Sequence, residues 1–511
     1  MKYALLQRTH PDLDLRTLRR YQDLAAGGET FRARIADYLP QHDVEPAKVW
    51  KRRQAEAYYI NYVARIVNFF ASQLMRCPPQ FKSDPETVDP WWDARKEDAD
   101  GRGKPLTQVA RELLVRALIG RRAYLRVEFP NAADLGPNAT LADADRAGAR
   151  DGRLVAVPTE NVRHWKRRRD GSFEWVLEYE RVEALDDFTD EKPRVTETWT
   201  CWYEDGTVRR WQADYAPDRK PTPSSNVQEV EAPRNPCGAI PLVELELPPE
   251  LHVVGLVAEP QIAQFRKSNA LSWSIDRTCY AMPAFYLKDR RKPPTMGAGY
   301  YLMLGHDEKF DWPAPPATAF SVVRDVTKDL VQEIHRVAEQ MALAVDNNQA
   351  AAVGRSGDSK QADAKATEVV LKAYGNALRD PMERALDLLA IGRGEATDWD
   401  VAGMDVYDLK DAETLTDMAL ASEPLQIPSA THRRELLKAV SRAQLPHLDE
   451  KTRRTIDKEI DAGVNAEDTR PDSTVPPPGG KTGPDSSVPP DGGDGDDPSI
   501  PPPPRVPREM Q

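Results

Sequence analysis

The sequence is poor in the residues that metal, redox and catalytic sites use. Its 511 residues include eight isolated histidines and only four cysteines, Cys77, Cys201, Cys237 and Cys279. No Cys-x-x-Cys pair and no His-Glu-x-x-His motif occurs, so the pattern argues against a zinc or redox site. We expect free, buried thiols, and we predict no metal and no cofactor.

Long apolar runs are also absent. No stretch is long and apolar enough to cross a bilayer. The first 20 residues, MKYALLQRTHPDLDLRTLRR, lack the apolar centre of a signal peptide. We therefore expect a soluble intracellular protein that has no membrane partner.

Positive charge is in deficit, with 70 Lys and Arg against 82 Asp and Glu and a net charge of −12. Proteins that hold DNA by general electrostatic attraction do so by neutralising its phosphates. The charge balance argues against that mode of binding. It does not exclude a protein past which DNA slides.

Two motif-like stretches near the C-terminus fail on inspection. Gly480, Lys481 and Thr482 resemble the end of a phosphate-binding loop, but Val475 stands where the first glycine belongs. The aspartates of 491–497 lack the terminal glutamate and the flanking helices of a calcium-binding hand. The sequence therefore offers no catalytic residue, and we expect a protein that is not an enzyme.

The strongest pattern lies between residues 319 and 392. Its first part predicts a helix over 321–345, because apolar residues recur there in steps of three and four. This apolar stripe comprises Val322, Val323, Val326, Leu330, Val331, Ile334, Val337, Met341 and Val345.

A polar loop, 346–358 (DNNQAAAVGRSGD), interrupts this pattern, and a second helix follows from Ser359 to about residue 392. Pro381 lies inside the second helix. Because proline has no N–H and collides with the preceding turn, we expect it to kink the helix.

Elsewhere the pattern predicts an α+β protein. We expect one helix over 49–75, a loop over 82–104, a helix from 106 that stops at Gly120 as its C′ residue, and a helix that Glu259 and Pro260 open. The expected strands cover 123–129, 154–157, 175–180, 195–202, 207–211, 238–243, 285–287, 300–304 and 401–409. Asp170–Gly171 and Asp205–Gly206 mark hairpin turns. Helical pieces follow at 415–421, 433–443 and 450–460, and the Pro/Gly/Ser/Asp-rich residues 465–511 have the composition of a disordered tail.

The order of these features resembles the portal proteins of tailed bacteriophages. The residues that carry the resemblance are Tyr38-Leu-Pro with Arg52, Arg53, Ala57, Asn61, Arg65 and Pro78–Pro79, then GRRAYLRV at 120–127, LVAVP at 154–158, GAIP at 238–241 and LRDPMERAL at 378–386. The match covers roughly residues 30–410, and the shared order of the motifs carries it.

The resemblance implies a portal fold whose parts follow the chain. They would be a β-rich wing (1–258), a first stem helix (259–282), a small clip (283–317), a second stem helix (318–345), a tunnel loop (346–358), a kinked helix with a return strand to the wing (359–412), a helical crown (413–464) and the disordered tail (465–511).

The resemblance also implies a function. Portals are ring homo-oligomers, usually dodecamers, at one capsid vertex of the virion, through which double-stranded DNA is packaged and ejected. Implied partners are the major capsid protein, the terminase large subunit and a head–tail adaptor, with assembly in the host cytoplasm. The candidate channel residues are Asn347, Asn348, Gln349, Arg355 and Lys360, and the candidate docking residues of the clip are Lys288, Arg290, Arg291 and Lys292.

Two other classes stay open from the sequence. One is a different structural component of the virion, such as a head–tail adaptor or a minor capsid protein. The other is a DNA-packaging enzyme, which would need a phosphate loop and a metal-binding carboxylate cluster. Neither signature is visible in the sequence.

Overall fold

A computed structural model describes residues 1–84, 90–130, 140–185, 192–217, 220–279, 284–286, 309–311, 317–345, 358–396, 398–404, 429–445 and 450–468. The chain divides into two compact units, Met1–Leu409 and Lys410–Gln511. Helices and antiparallel sheets occupy separate stretches of the first unit, which confirms the expected α+β class.

The helices and strands are numbered in chain order. The helices are α1 (Tyr3–Leu6), α2 (Leu15–Ala26), α3 (Gly28–Arg32), α4 (Ile35–Tyr38), α5 (Ala47–Glu56), α6 (Tyr62–Leu74), α7 (Pro90–Glu97), α8 (Leu106–Gly120), α9 (Leu141–Arg146), α10 (Val253–Cys279), α11 (Ala317–Val345), α12 (Asp358–Arg393), α13 (Ala430–Gln444) and α14 (Glu450–Asp468). The strands are β1 (Gln80–Asp84), β2 (Arg122–Glu128), β3 (Arg153–Val157), β4 (Val162–Arg167), β5 (Phe173–Ala184), β6 (Arg194–Tyr203), β7 (Val208–Tyr215), β8 (Gln228–Val230), β9 (Leu242–Glu246), β10 (Ala284–Tyr286), β11 (Lys309–Asp311) and β12 (Asp398–Ala402).

Two antiparallel sheets form the β-rich part of the first unit. One has the order β3–β2–β9 and the other the order β4–β5–β6–β7–β8. The predicted hairpin turns are confirmed, since Gly171 and Gly206 have φ values of 90° and 81°, which glycine tolerates without strain. Two further two-stranded pairs, β1 with β12 and β10 with β11, join segments that are far apart in the sequence.

The main core lies where α2, α6, α8, α10 and α12 pack on one another and on the three-stranded sheet. A smaller apolar cluster, which includes Trp165, Val176 and Trp202, joins the five-stranded sheet to Tyr124 and Leu242 of the three-stranded sheet. The two sheets therefore share a core at one end of their interface.

The predicted helix over 49–75 is wrong in its middle. It is two helices, α5 and α6, separated by the extended residues 57–61. Asn61 begins α6 as an N-cap, because its side-chain oxygen accepts a hydrogen bond from the Ala64 N–H at 2.8 Å. Contacts with α10, described below, hold residues 57–61 in the extended form.

Three other boundaries also differ from the predictions. The expected loop over 82–104 contains the end of β1 and all of α7, and the expected strand over 401–409 is instead β12, which begins earlier. Gly120 is the last residue of α8, and the left-handed position after it belongs to Arg121, with φ 68°. Space at Gly120 is tight, since a Cβ would lie 3.0 Å from Leu18 Cδ1 and the leucine would have to shift slightly.

The expected start of α10 at Glu259 and Pro260 is wrong as well. The helix begins at Val253, so Pro260 lies inside it rather than in its first turn. Proline at this position leaves the Leu256 carbonyl without its helical donor. The helix nevertheless continues to Cys279.

Hydrogen bonds hold the N-terminal segment against the five-stranded sheet. Met1 and Val227 exchange backbone hydrogen bonds at 3.2 and 2.8 Å. The Glu197 carboxylate, only 1% exposed, accepts hydrogen bonds from the hydroxyls of Tyr3 at 2.6 Å and Tyr179 at 2.8 Å. Burial and this hydrogen bond both raise the pKa of Tyr3, so the hydroxyl stays a donor.

The second unit contains α13 and α14, which pack on each other. Ser429 caps α13 by accepting a hydrogen bond from the His432 N–H at 3.2 Å. Lys438 on α13 and Asp461 on α14 form an ion pair at 2.7 Å, which raises the pKa of the lysine. The predicted helical piece at 415–421 lies outside the described residues. The tail predicted over 465–511 starts too early, because α14 continues through residue 468, and the rest of the tail lies outside the described residues.

Candidate functional site

Two long helices, α10 and α11, form an arm that is rooted in the main core. α10 and α11 pack against each other, and the predicted stripe on α11 is present within the described side chains, 320–337. Ile334 is completely buried, whereas Val322 and Val326 are 61% and 39% exposed. Among the described side chains the stripe is therefore buried at Ile334, half-buried at Val323, Leu330, Val331 and Val337, and most exposed towards its N-terminal end.

The outer part of the arm consists of residues 270–275 of α10 and 320–333 of α11. Within these two ranges no side chain is fully buried, and Ile275 on α10 is 40% exposed. The exposed face of α11 mixes both signs of charge, for example Arg324 beside Asp325 at 3.5 Å.

Buried amide side chains fix the root of the arm. Gln261 and Asn269 on α10 are 0% and 4% exposed, and each binds the backbone of the extended residues 57–61. The Gln261 Nε2 donates to the Ile60 carbonyl at 3.0 Å, and its Oε1 accepts from the Tyr62 N–H at 3.2 Å. These bonds satisfy backbone groups that a helix would otherwise satisfy, so they stabilise the break between α5 and α6.

The amides are connected along α10. Gln261 donates to Gln264 Oε1 at 3.3 Å, and Gln264 donates in turn to Ser268 Oγ at 2.7 Å. A fully hydrogen-bonded row of buried polar groups specifies one packing of the two segments, because any shift would leave amides without partners.

The helix that contains Pro381 runs without interruption from Asp358 to Arg393. Pro381 is buried, and one face of α12 from Val370 to Ala390 packs in the main core. The helix is therefore compatible with an interior proline, while the bend at Pro381 stays a prediction.

Three α12 side chains bind the edge of β12 that does not face β1. Arg379 Nε donates to the Val401 carbonyl at 3.0 Å, and Glu383 Oε1 accepts from the Val401 N–H at 2.9 Å. Asp387 Oδ1 accepts from the Trp399 N–H at 3.1 Å. Burial raises the pKa of Asp387, and the neighbouring carboxylates of Asp398 and Glu383 raise it further.

Most of the predicted site residues fall outside the described residues. Of the channel residues, Asn347, Asn348, Gln349 and Arg355 lie in the range 346–357, and Lys360 lies in the first turn of α12, where only the backbone is described. The docking residues Lys288, Arg290, Arg291 and Lys292 lie between β10 and β11, likewise outside the described ranges. Their predicted roles stay predictions.

A charged cavity of about 410 Å³ opens between the two sheets, at the end away from their shared apolar cluster. Its charges largely neutralise one another: Arg126 pairs with Glu178, Arg153 with Glu128, and Lys104 and Arg116 both pair with Glu112. Such an ion-paired cavity has no obvious nucleophile, and its arrangement is that of a polar interface between two layers of one fold.

The histidines and thiols show no catalytic arrangement in the part of the chain that the structure describes. No group of three or more His, Cys, Asp or Glu side chains there could hold a metal ion. Cys201 and Cys237 are buried, which raises the pKa of both thiols, that of Cys237 to about 11.

None of the described helices has both the length and the apolar character that a membrane span requires.

Comparison with known proteins gives weak matches only. No protein-family model and no curated protein matches the sequence. Three solved structures contain similar chains: "Virion of native gene transfer agent (GTA) particle" (12% identity, TM-score 0.33, 77% of this chain and 88% of that chain), "Neck of empty GTA particle computed with C6 symmetry" (11%, 0.33, 77% and 89%) and "Neck of native GTA particle computed with C12 symmetry" (11%, 0.32, 77% and 88%). Similarity this weak carries no conclusion about the family or the function of this chain.

Proposed function

We propose that this chain is the portal subunit of a tailed-phage-like particle. Twelve or a similar number of copies would form a ring at one capsid vertex, and double-stranded DNA would pass through its channel during packaging and ejection. In this proposal the protein is a structural component of the virion, assembled in the host cytoplasm, and it catalyses no reaction.

One observation carries the proposal: in the described part of the arm, the apolar side chains of Val322, Val326 and Ile275 are 61%, 39% and 40% exposed. Fully burying a valine or an isoleucine contributes about 1.5–3 kcal/mol. Covering Val322, Val326 and Ile275 with neighbouring subunits would therefore favour association, and repeating that contact around an axis gives a closed ring.

The order of elements supports the same proposal. A helix, a small two-stranded pair (β10 with β11), a second long helix, an intervening segment, and a helix with an interior proline follow one another, and then β12 returns to β1. This is the series that the resemblance implies for stem, clip, stem, tunnel loop, kinked helix and return strand.

The proposal assigns partners to the parts. The residues between β10 and β11, with Lys288, Arg290, Arg291 and Lys292, would dock the terminase large subunit and later the head–tail adaptor. The outer surface of the wing would contact the major capsid protein. Residues 346–358 would line the channel, where uncharged amides and few cations permit only weak contact with phosphates, as sliding requires.

Negative-stain microscopy and light scattering test the ring. We expect the purified chain to form rings with a central channel, and Val322→Asp with Val326→Asp to give monomers, because two carboxylates would be desolvated in the contact. Leu141→Asp, at a residue 67% exposed on α9, is the matched control and should leave the rings intact. A wild-type chain that is monomeric at micromolar concentration and absent from any virion ring would contradict the proposal.

A second experiment tests the channel. Replacing residues 347–357 by a Gly/Ser linker should leave the ring intact, because the arm and α12 are unchanged, and should impair packaging or retention of DNA. Pro381→Ala should shift the same segment by straightening α12. Normal packaging by the linker variant would mean that this segment only connects two helices.

A third experiment tests the absence of catalysis. The purified chain should neither hydrolyse ATP nor cut DNA. An activity that co-purifies with the chain and disappears on mutation of one of its own carboxylates would overturn this part of the proposal.

A further inference from the structure

One outer face of α6 carries arginines and an exposed phenylalanine but no acid. Arg65 and Phe69 follow one another at helical spacing, and Arg76 lies on the same side just after the helix ends. All three are exposed, Phe69 by 48%. Arg111 on α8 lies beside them and donates to Asn68 Oδ1 at 3.4 Å. We call these four residues, Arg65, Phe69, Arg76 and Arg111, the basic stripe.

No described carboxylate pairs with the basic stripe. The sequence has no Asp or Glu between Glu56 and Asp84, although 82 of the 511 residues are acidic. Among the described residues, none of the three arginines forms an ion pair. Glu112, the acid next to Arg111 in the chain, is already paired with Lys104 and Arg116.

The contacts that the three arginines do make are weak. The Arg65 guanidinium lies 5.7 Å from the Tyr62 ring centroid, and Arg76 donates to Gln73 Oε1 at 3.4 Å. Most described arginines of the sheets are paired with carboxylates, whereas these three are not. Arginines around an exposed aromatic ring are the residue types that protein-binding surfaces favour.

A complementary segment exists in the same sequence. β5 continues past the core, and its last part, 180–184, is exposed on both faces, with Val182 and the following Leu185 each 47% exposed. The next six residues, 186–191, read DDFTDE, which places four carboxylates around one phenylalanine, Phe188. The segment 182–191 thus pairs acidic and apolar groups, as the basic stripe pairs basic and apolar groups.

We propose that the basic stripe of one copy binds the segment 182–191 of a neighbouring copy. The two surfaces differ, so the contact is of the head-to-tail kind that generates a ring when its rotation closes. The proposal deepens the proposed function and rests on it for the ring itself. A protein partner is favoured over DNA because Phe69 gains nothing from phosphates, and because a chain of net charge −12 repels a polyanion.

Peptide binding tests the contact without requiring a ring. A fluorescein-labelled peptide of residues 182–192 (VEALDDFTDEK) should bind the full-length chain, with an affinity that falls as salt rises. Arg65→Glu with Arg76→Glu should weaken binding at least tenfold, and Phe69→Ala should weaken it as well. The matched control is Arg146→Glu, at a side chain 77% exposed on α9, which should leave the affinity unchanged. Equal affinity for the parent and for the variants of the basic stripe would overturn the proposal.

Charge exchange tests whether the contact joins two copies. Arg65→Glu with Arg76→Glu in one chain, or Asp187→Lys with Glu191→Lys in another, should each prevent assembly. Mixing the two variants should restore rings in which they alternate, since every contact then has opposite charges. Failure of the mixture to assemble, although circular dichroism shows both variants to be folded, would contradict a contact between copies.

The outcomes separate this inference from the proposed function. If the wild-type chain forms rings, and the variants of the basic stripe assemble and bind the peptide as the parent does, the inference is wrong and the ring proposal stands. If the wild-type chain forms no ring, the ring proposal fails, and peptide affinity still decides the contact. Variants that bind the peptide normally but lose DNA would make the basic stripe a nucleic-acid surface, against the inference.

Discussion

The side-chain amide of Asn269 pairs with the backbone of Tyr58 in both directions. Its Oδ1 accepts from the Tyr58 N–H at 2.9 Å, and its Nδ2 donates to the Tyr58 carbonyl at 3.0 Å. The two residues are 211 positions apart. The amide satisfies both backbone groups of Tyr58, as the facing residue of a neighbouring strand would in an antiparallel sheet.

This pairing predicts that Asn269→Leu destabilises the fold. The substitution leaves a partly buried N–H and a carbonyl without partners, and each such group costs about 1–3 kcal/mol. Urea unfolding should show a lower midpoint for this variant. Ser274→Ala, at an exposed position on the same helix, is the control and should cost less. An unchanged midpoint for Asn269→Leu would mean that water replaces the amide.

The same pairing shows why sequence patterns missed the break between α5 and α6. Tyr58, Tyr62 and Ile66 keep helical spacing across it, so the local pattern contains no sign of an interruption. The cause lies on α10, about 200 residues later, in amides whose partners no local pattern identifies.

Features with a strong local cause were predicted well. The α11 stripe extends over nine apolar residues, and the hairpins at Gly171 and Gly206 depend on two-residue turn chemistry. In contrast, α7 was missed because Trp91 and Trp92 stand among polar residues and give no helical apolar pattern. Their burial, partial for Trp91 and full for Trp92, comes from contacts with distant parts of the chain. Trp92 Nε1, for example, donates to Glu395 Oε2 at 2.8 Å.

A second prediction concerns close packing at α12. A Cβ on Gly375 would lie 2.2 Å from the Met404 carbonyl oxygen, so the side chain would collide with backbone rather than with a flexible side chain. Gly375→Ala should lower the free energy of unfolding by at least about 1–3 kcal/mol. Gly463→Ala is the matched control, because a Cβ there meets nothing within 4 Å, and helix propensity should stabilise α14 by about 1 kcal/mol. A neutral effect at Gly375 would show that β12 and Met404 can move away.

A third prediction concerns acid. Burial lowers the pKa of His252, whose Nε2 donates to the Ile119 carbonyl at 3.0 Å. Because the unfolded chain binds the proton more readily, stability is fully present above the ordinary pKa of about 6.5 and is lost as the pH falls below it. The urea midpoint should therefore be lower at pH 5.5 than at pH 7.5. His252→Gln should reduce this difference, whereas His42→Gln, at an exposed residue, should not.

A fourth prediction concerns the N-terminal segment. Tyr3→Phe removes one of the hydroxyls that donate to the buried Glu197 carboxylate, which should cost about 1–3 kcal/mol. Thermal unfolding should show the loss, and hydrogen exchange should show it in β6 and β7. Tyr58→Phe, at a residue 45% exposed, is the control. An equal melting temperature for Tyr3→Phe and the parent would mean that the carboxylate finds another donor.

The Arg379, Glu383 and Asp387 side chains matter when many copies of the chain lie close together, because they cover an edge of β12. A strand whose hydrogen-bonding groups stay unused on one edge recruits strands from other molecules, and such pairing leads to aggregates. β12 is paired with β1 on one edge, and three α12 side chains occupy the N–H groups of Trp399 and Val401 and the Val401 carbonyl on the other. Even at the high local concentration of a multi-copy assembly, strands of other copies therefore have little to pair with along this edge of β12. A variant lacking Glu383 would expose the Val401 N–H to such pairing.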